Sequence, residues 1–539
     1  MTSLPFFKSP TTLRALRQLS ETKDLTLFAG AGVSGSQGAP SWHALVELLL
    51  ADLARETFKQ KTKESAAFAH SFLAQMGVTP AVSSLVEQWG EQDLVRRAAV
   101  KLDQRRKRSG ALAQNLMFLA DAWKRSEDSH VTVLTTNYDS VLEEAALAFR
   151  QSISPDLLGA GCQFKSYVTA RIQRKPNVVP IVHIHGRISA NGDATGKFIL
   201  SERDYSDVAN SMDWRRELVT NCLDEGASLF VGMSLVDPNI VRYMAGRRSQ
   251  GPPSYALFAR QDHPWRQLGG PEKELEIAFE KRLDHLGISL LRADYYTQVW
   301  QFLNELALAR TFGVDNYLDP DSAVRYDARL ESWQRAIEGT LYARGRNGAR
   351  FADSTSAVFE VLNRAKSVIV EANLVKHSRS HERLKLELWA RDPYSKRKLC
   401  VWGSADSKWQ DHATNRGDLI VSESVHPAVR VFCSGTPARG GTGDKKSIWQ
   451  YVMAAPIVLG DEYYGLPVGT LVLSSDSEQS FLKDLDSRHE LELLDFMQEI
   501  GLHVLRPESD STQFPEMAEI PPNVKLDNLP SPPVVQYLA

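Results

Sequence analysis

The chain has 539 residues, 43% of them hydrophobic and 24% charged, with a formal net charge of −3. That length exceeds one ordinary core and predicts roughly two to four domains of soluble, globular composition. A chain without a net positive field can bind nucleic acid only through a local patch. The one basic run, "KLDQRRKRSG" from Lys101 to Gly110, reads as a solvated helix face, so no nucleic-acid partner is expected.

No stretch approaches the roughly 18 apolar residues of a membrane span. The opening "MTSLPFFKSP" lacks a signal-type apolar core, so a cytoplasmic location without a membrane partner is expected. Four cysteines, at 162, 222, 400 and 433, form no C-x-x-C pair, which argues against a zinc site, any other metal centre or a disulfide framework.

Six apolar runs of strand length recur through the first three hundred residues: "LTLFAG", "VTVLTTN", "VVPIVHIHG", "ASLFVGMS", "SYALFAR" and "GISLLRAD". They are apolar nearly throughout, as strands covered on both faces should be, and helix-length segments between most of them predict a parallel α/β sheet. The long interval Ser41–Lys124 between the first two runs reads as a crossover helix plus an inserted helical subdomain. In "SWHALVELLLADL", Trp42, Leu45, Leu49 and Leu53 share one helix face.

Each of four runs ends in small or polar residues, where open α/β sheets bind ligands. The first delivers Gly30-Ala31-Gly32 and Ser34, which fits either an ordinary strand-to-helix turn or half of a phosphate cradle. The second ends in "TTNYD", Thr135 to Asp139, where Asn137 or Asp139 could equally cap the next helix. The third ends in "HIHG", whose alternation points His183 and His185 the same way. The fourth gives "GMSLVDPNI", also readable as a turn with Asp-Pro punctuation.

Taken in order, "GAGVSGSQGAPSW", "TTNYD", "HIHG" and "GMSLVDPN" resemble the motif series of the sirtuin-like NAD-binding fold. Specifically they look like its zinc-free branch, found in bacterial immune proteins that hydrolyse NAD, and "KFILSERDY" matches that branch too. The resemblance spans about residues 20–305. It implies a Rossmann-like parallel sheet with a helical insertion at about 50–125, NAD as substrate, no metal, and a homo-oligomer.

Carried over by position, Gly30, Ala31, Gly32 and Ser34 would cradle the NAD pyrophosphate, with Thr135 and Thr136 also binding the cofactor. Asn137 would orient the attacking water, Asp139 would support the pocket, and His185 would be the general base. Gly232 and Ser234 would line the adenosine side, with Asp237 and Asn239 fixing that loop. The missing four-cysteine module, and "GAPSW" in place of the family's usual ending, argue against deacylation. Protein deacylation, ADP-ribosyl transfer and a non-catalytic NAD or ADP-ribose sensor are the alternatives.

The chemistry is coherent on the residues alone. Cleaving the nicotinamide–ribose bond passes through an oxocarbenium-like state and releases a neutral leaving group. A positioned water and a base titrating near ~6.5 suffice, which an amide and a histidine supply.

Past residue 310 the texture changes: 311–356 reads as a helical connector and 357–506 as an α+β domain. Strands are expected at "KSVIVEANLV", "RLKLELWAR" and "KLCVWGSA", and the loop "HPAVRVFCSGTPARGGTGDKKSIWQ" as a mobile lid or a plain exposed loop. The hairpin in "APIVLGDEYYGLPVGTLVLSSD" and the helix after it resemble the end of a GAF-type sensory domain, which implies regulation by a small-molecule or phage-derived trigger. Residues 507–539, rich in Pro and Ser, read as a disordered tail.

Overall fold

The computed structural model describes residues 5–506, except 36–38, 59–61, 104–109, 126–127, 153–161, 173–174, 190–191, 212, 247–250, 261–271, 345–351, 376–381, 393–397, 406–416, 421–423, 425, 442–446 and 461–464. The centre of the basic run and the tail from Pro507 therefore lie outside the described residues. Two compact units divide the chain: Met1–Ala293 with Phe302–Leu318, and Asp294–Gln301 with Asp319–Ala539.

The first unit is built on β1 (Asp24–Ala29), β2 (His130–Thr135), β3 (Gln163–Tyr167), β4 (Val178–His183), β7 (Ala227–Val231), β8 (Ser254–Ala259) and β9 (Ser289–Ala293), with β5 (Arg187–Ile188) and β6 (Ala194–Thr195) forming a separate ribbon. The seven strands run in the order β3-β4-β2-β1-β7-β8-β9, and every neighbouring pair is parallel. The six apolar runs all became strands. The seventh, β3, sits at a sheet edge, and its alternating exposure explains why "QFKSY" carries no apolar-run signal.

Burial on both faces holds the sheet. Phe28 of β1 stacks on Phe230 of β7 at 4.3 Å between ring centroids, and both join a core with the helices Trp214–Glu225 and Pro238–Ala245. The helix Ala111–Lys124 is packed against β2 and β4. Between β1 and β2 the chain makes the helices Trp42–Phe58, Thr62–Met76, Val78–Trp89 and Glu91–Asp103 before Ala111–Lys124. Leu45, Leu49, Leu73, Val82 and Leu94 give this insertion a core of its own. Where it meets the sheet, Trp42, Leu49, Tyr138 and Phe198 line an apolar cavity of about 10 Å³, the size of a single water.

The strand order decides where a ligand can enter. From β1 the chain moves outward through β2 and β4 on one side and through β7, β8 and β9 on the other, so the winding reverses between β1 and β7. A crevice opens at such a switch point, outside the carboxyl ends of the strands.

In the second unit β10 (Leu384–Arg391), β11 (Lys398–Ser404), β12 (Gly417–Leu419), β13 (Ala438–Gly441), β14 (Tyr451–Leu459) and β15 (Leu466–Ser475) form one antiparallel sheet ordered β12-β11-β10-β15-β14-β13. One face packs on the helices Ala352–Val370 and Ser487–Leu505, the other on the short helix Pro427–Ser434. Two sequence expectations change here. "KSVIVEANLV" continues the helix Ala352–Val370 and its π turn Glu371–Val375, because Val358, Leu362, Ala365 and Ile369 are buried at helical spacing. The expected lid loop contains the helix Pro427–Ser434, whose Val429, Val431 and Phe432 are core residues. The helix Tyr326–Arg344, read from sequence as connector, places Leu330, Trp333 and Ile337 in this unit's core.

Candidate active site

The glycines at the switch point are required by close approach. A Cβ on Gly30 would stand 2.5 Å from the Gly232 carbonyl oxygen, and one on Gly32 would stand 2.8 Å from Gly232 Cα. Gly232 itself has φ +61°, the left-handed region that glycine adopts without penalty. The Gly30 and Gly32 N–H groups donate to Val231 O at 3.0 Å and Gly232 O at 2.8 Å. As placed, these two amides lace the β1 turn to the β7 turn instead of pointing at a phosphate.

Around this contact the "TTNYD" segment builds a buried polar network. Thr135 Oγ1 donates to Ala29 O and accepts from Asn137 N, at 2.9 and 3.0 Å. Asn137 Nδ2 donates to Gly30 O and to Ser34 Oγ, both at 2.9 Å. Because Gly30 O can only accept, the amide nitrogen must face it, which leaves Oδ1 as the acceptor for a water or a ribose hydroxyl. Ser34 Oγ donates to Asp139 Oδ1, which also accepts from Val141 N at the start of the helix Val141–Ser152. Asp139 thus both caps a helix and anchors the serine. Thr136, half-buried, follows the last residue of β2.

The two histidines do not share one network. β4 ends at His183, and beyond the strand its alternation no longer governs direction. His183 lies between Asn137 O, 3.1 Å from Nδ1, and Glu143 Oε1, 3.0 Å from Nε2. His185 stands among Tyr138, Tyr205 and Asp237, with Nε2 3.6 Å from Asp237 Oδ2 and the Tyr205 ring edge-on at 5.9 Å. Burial lowers the His185 pKa below 6.5; Asp237 opposes this and Arg215 adds to it, so the ring is neutral at pH 7.

Asp237 belongs to the far side of the switch point. Its Oδ1 caps the helix Pro238–Ala245 through Asn239 N and Ile240 N, while Oδ2 accepts from Tyr205 OH at 3.0 Å. The buried Asn239 accepts from Arg242 and belongs to that helix, while Ser234 is exposed on the connecting loop. Leu235, beside it, holds φ 55° without being glycine, with its side chain fully buried and its carbonyl bound by Arg282.

The residues proposed from sequence therefore gather at one carboxyl edge, in two clusters. Asn137, Ser34, Asp139 and Thr135 form the first; His185 and Asp237 form the second. Tyr138 lies between them in sequence and in space, its ring 6.3 Å from that of His185 and its hydroxyl donating to Ile199 O at 2.6 Å. Sequence reasoning missed Tyr138, Glu143 and Tyr205 as members of the site. For Tyr205 a signal existed: the S-x-x-D spacing of Ser201 and Asp204 forms a capping box that starts the helix at Glu202, three residues before it.

Residues 131–286 match the family described as SIR2-like domain. This segment is a SIR2-like domain. No curated protein matches the chain. A solved structure of a Sir2 homologue in complex with ADP-ribose matches at 12% identity, covering 51% of this chain and 95% of its own, with a TM-score of 0.25. A SIR2-like domain suggests NAD-related activity. Its matched span holds the "TTNYD", "HIHG" and "GMSLVDPN" segments but starts after "GAGVS". The glycine turn joins the SIR2-like domain through the Ser34, Gly30 and Gly32 hydrogen bonds. Among the described residues no cluster of three His, Cys, Asp or Glu side chains is arranged to hold a metal, and no helix is long and apolar enough to cross a membrane.

Proposed function

We propose that the first unit is an NAD glycohydrolase, cleaving NAD to nicotinamide and ADP-ribose. The observation that carries this reading is that a buried neutral imidazole and an amide whose nitrogen is already fixed follow the carboxyl ends of the neighbouring strands β4 and β2. Water bound to Asn137 Oδ1 attacks the ribose carbon as its bond to nicotinamide breaks. The bond electrons leave with the pyridinium ring, which departs neutral, and the water's proton passes to His185. Thr135, Asp139 and Ser34 hold the amide; Asp237 and Tyr205 hold the imidazole. The glycine turn and Gly232 bound the crevice where the dinucleotide lies.

Unregulated loss of NAD would harm the cell that makes the enzyme. We accordingly assign the activity to antiphage defence by NAD depletion, an abortive infection, with a GAF-like second unit controlling it in response to a small-molecule or phage-derived trigger and the chain working as a homo-oligomer. The test is to incubate the full chain with NAD, alone and with phage-infected lysate, following nicotinamide and ADP-ribose. Equal release of the two supports hydrolysis. Transfer of ADP-ribose to a protein, or consumption of an acylated peptide, would replace it with the corresponding transferase or deacylase. Binding without turnover in both conditions would leave a sensor.

A further inference from the structure

We propose that His183 is a positioning residue of this site, its imidazole carrying both ring protons so as to donate at once to the Asn137 carbonyl and the Glu143 carboxylate. The bonding follows from geometry alone; its effect on catalysis rests on the hydrolase reading above.

His183 is 1% exposed, and both ring nitrogens lie within 3.1 Å of an oxygen. A backbone carbonyl has no proton to give. Glu143 Oε1 already accepts from Arg187 Nε and Ser166 Oγ, each at 2.6 Å, which marks it as an ionised acceptor. Burial works to raise the Glu143 carboxyl, but the hydrogen bond and charge of His183, then Ser166 and Arg187, hold it at about 2. Facing an acceptor on each side, the ring can satisfy both only with a proton on each nitrogen.

What this secures is Asn137. Its N–H is tied to Thr135 Oγ1 and its side-chain nitrogen to Gly30 O and Ser34 Oγ. His183 supplies the remaining hold, at the carbonyl, and so fixes the peptide plane between Asn137 and Tyr138. A displacement of about 1 Å in a positioned group lowers turnover on the order of 10²-fold. The charged groups around the ring are Glu143 from the helix Val141–Ser152 and Arg187 from β5, while Ser166 of β3 adds a neutral hydroxyl. The two histidines of "HIHG" are thereby opposites: His185 works neutral, and His183 works charged.

Two measurements on the full chain test this. In ¹⁵N-histidine NMR at pH 7, the signal that disappears in His183→Phe should show both ring nitrogens protonated; a neutral tautomer there overturns the proposal. In NAD kinetics, His183→Phe should lose on the order of 10²-fold in kcat with KM changed less than about 3-fold. Wild-type kcat in His183→Phe overturns the positioning role. Should His183→Phe not fold, His183→Gln provides the same spectral assignment and kinetics. If the wild type makes no ADP-ribose under any condition, the hydrolase reading fails, and the NMR result still decides the bonding of His183.

Discussion

Ser34 Oγ donates to Asp139 Oδ1 across 3.0 Å, joining the turn after β1 to the turn after β2. The same hydroxyl accepts from Asn137 Nδ2, so one serine orders an amide and a carboxylate that follow a different strand. Ser34→Ala removes both bonds from a buried position. A loss of about 1–3 kcal/mol is expected in urea unfolding of the first unit, with turnover of NAD reduced in the same variant.

Asn137→Ala is expected to lower turnover by about 10² or more, as removal of a group that positions a reactant does. Its fold will not be untouched, because Ser34 Oγ loses a donor and Gly30 O keeps only that from Val33 N. Melting temperature and NAD consumption should fall together in Asn137→Ala. His185→Ala removes no side-chain hydrogen bond of that cluster, so it should lose activity with the smaller thermal shift.

Replacing Gly232 by alanine combines two penalties. Its φ of +61° strains any other residue, and the new Cβ would meet Val33 N at 2.6 Å. Neither the backbone of β7 nor that of the glycine turn can give way cheaply. Gly232→Ala should destabilise the first unit by about 1–3 kcal/mol, read by calorimetry, and Gly30→Ala should do the same.

The pH dependence of turnover has a definite sign. Burial lowers the His185 pKa from 6.5, so the base is lost only on the acid side, and the acid limb of kcat/KM must lie below pH 6.5. Asp237→Asn removes the charge that opposes the shift and moves the limb lower still, while its amide oxygen can go on capping the helix Pro238–Ala245. Stability follows the same direction: the unfolded chain binds the proton first, so this contribution is full above pH 6.5 and is lost as the pH falls. A limb above pH 6.5 would remove His185 from the role of base.

Glu143 titrates at the other end of the scale. Despite its burial, His183, Ser166 and Arg187 depress its carboxyl from 4.5 to about 2. The stability it contributes is present above pH 4.5 and is lost between 4.5 and about 2, amounting at most to on the order of 3 kcal/mol. Acid unfolding of Glu143→Gln, compared with wild type, should show a shallower decline across that window.

Much of this fold lies on the surface of the text. Six buried strands are written as nearly continuous apolar runs, because a strand covered on both faces has no polar side to show. The motif order fixes which residues stand at strand ends, and strand ends are where an α/β sheet exposes its backbone. The edge strand β3, half of whose residues face outward, has no such signature, and the helix through Ile369 carries β-branched residues that imitate a strand. Only the folded chain decides partnership. That Asn137 bonds Ser34, that Asp237 reaches His185 from beyond β7, and that two histidines one residue apart serve opposite ends of the site all depend on parallel strands brought side by side from distant positions. Local pattern records which face of an element meets apolar neighbours, since burial is a property each residue type carries with it. A hydrogen bond between remote side chains needs both atoms placed within a fraction of an ångström, and that placement exists only once the sheet is assembled.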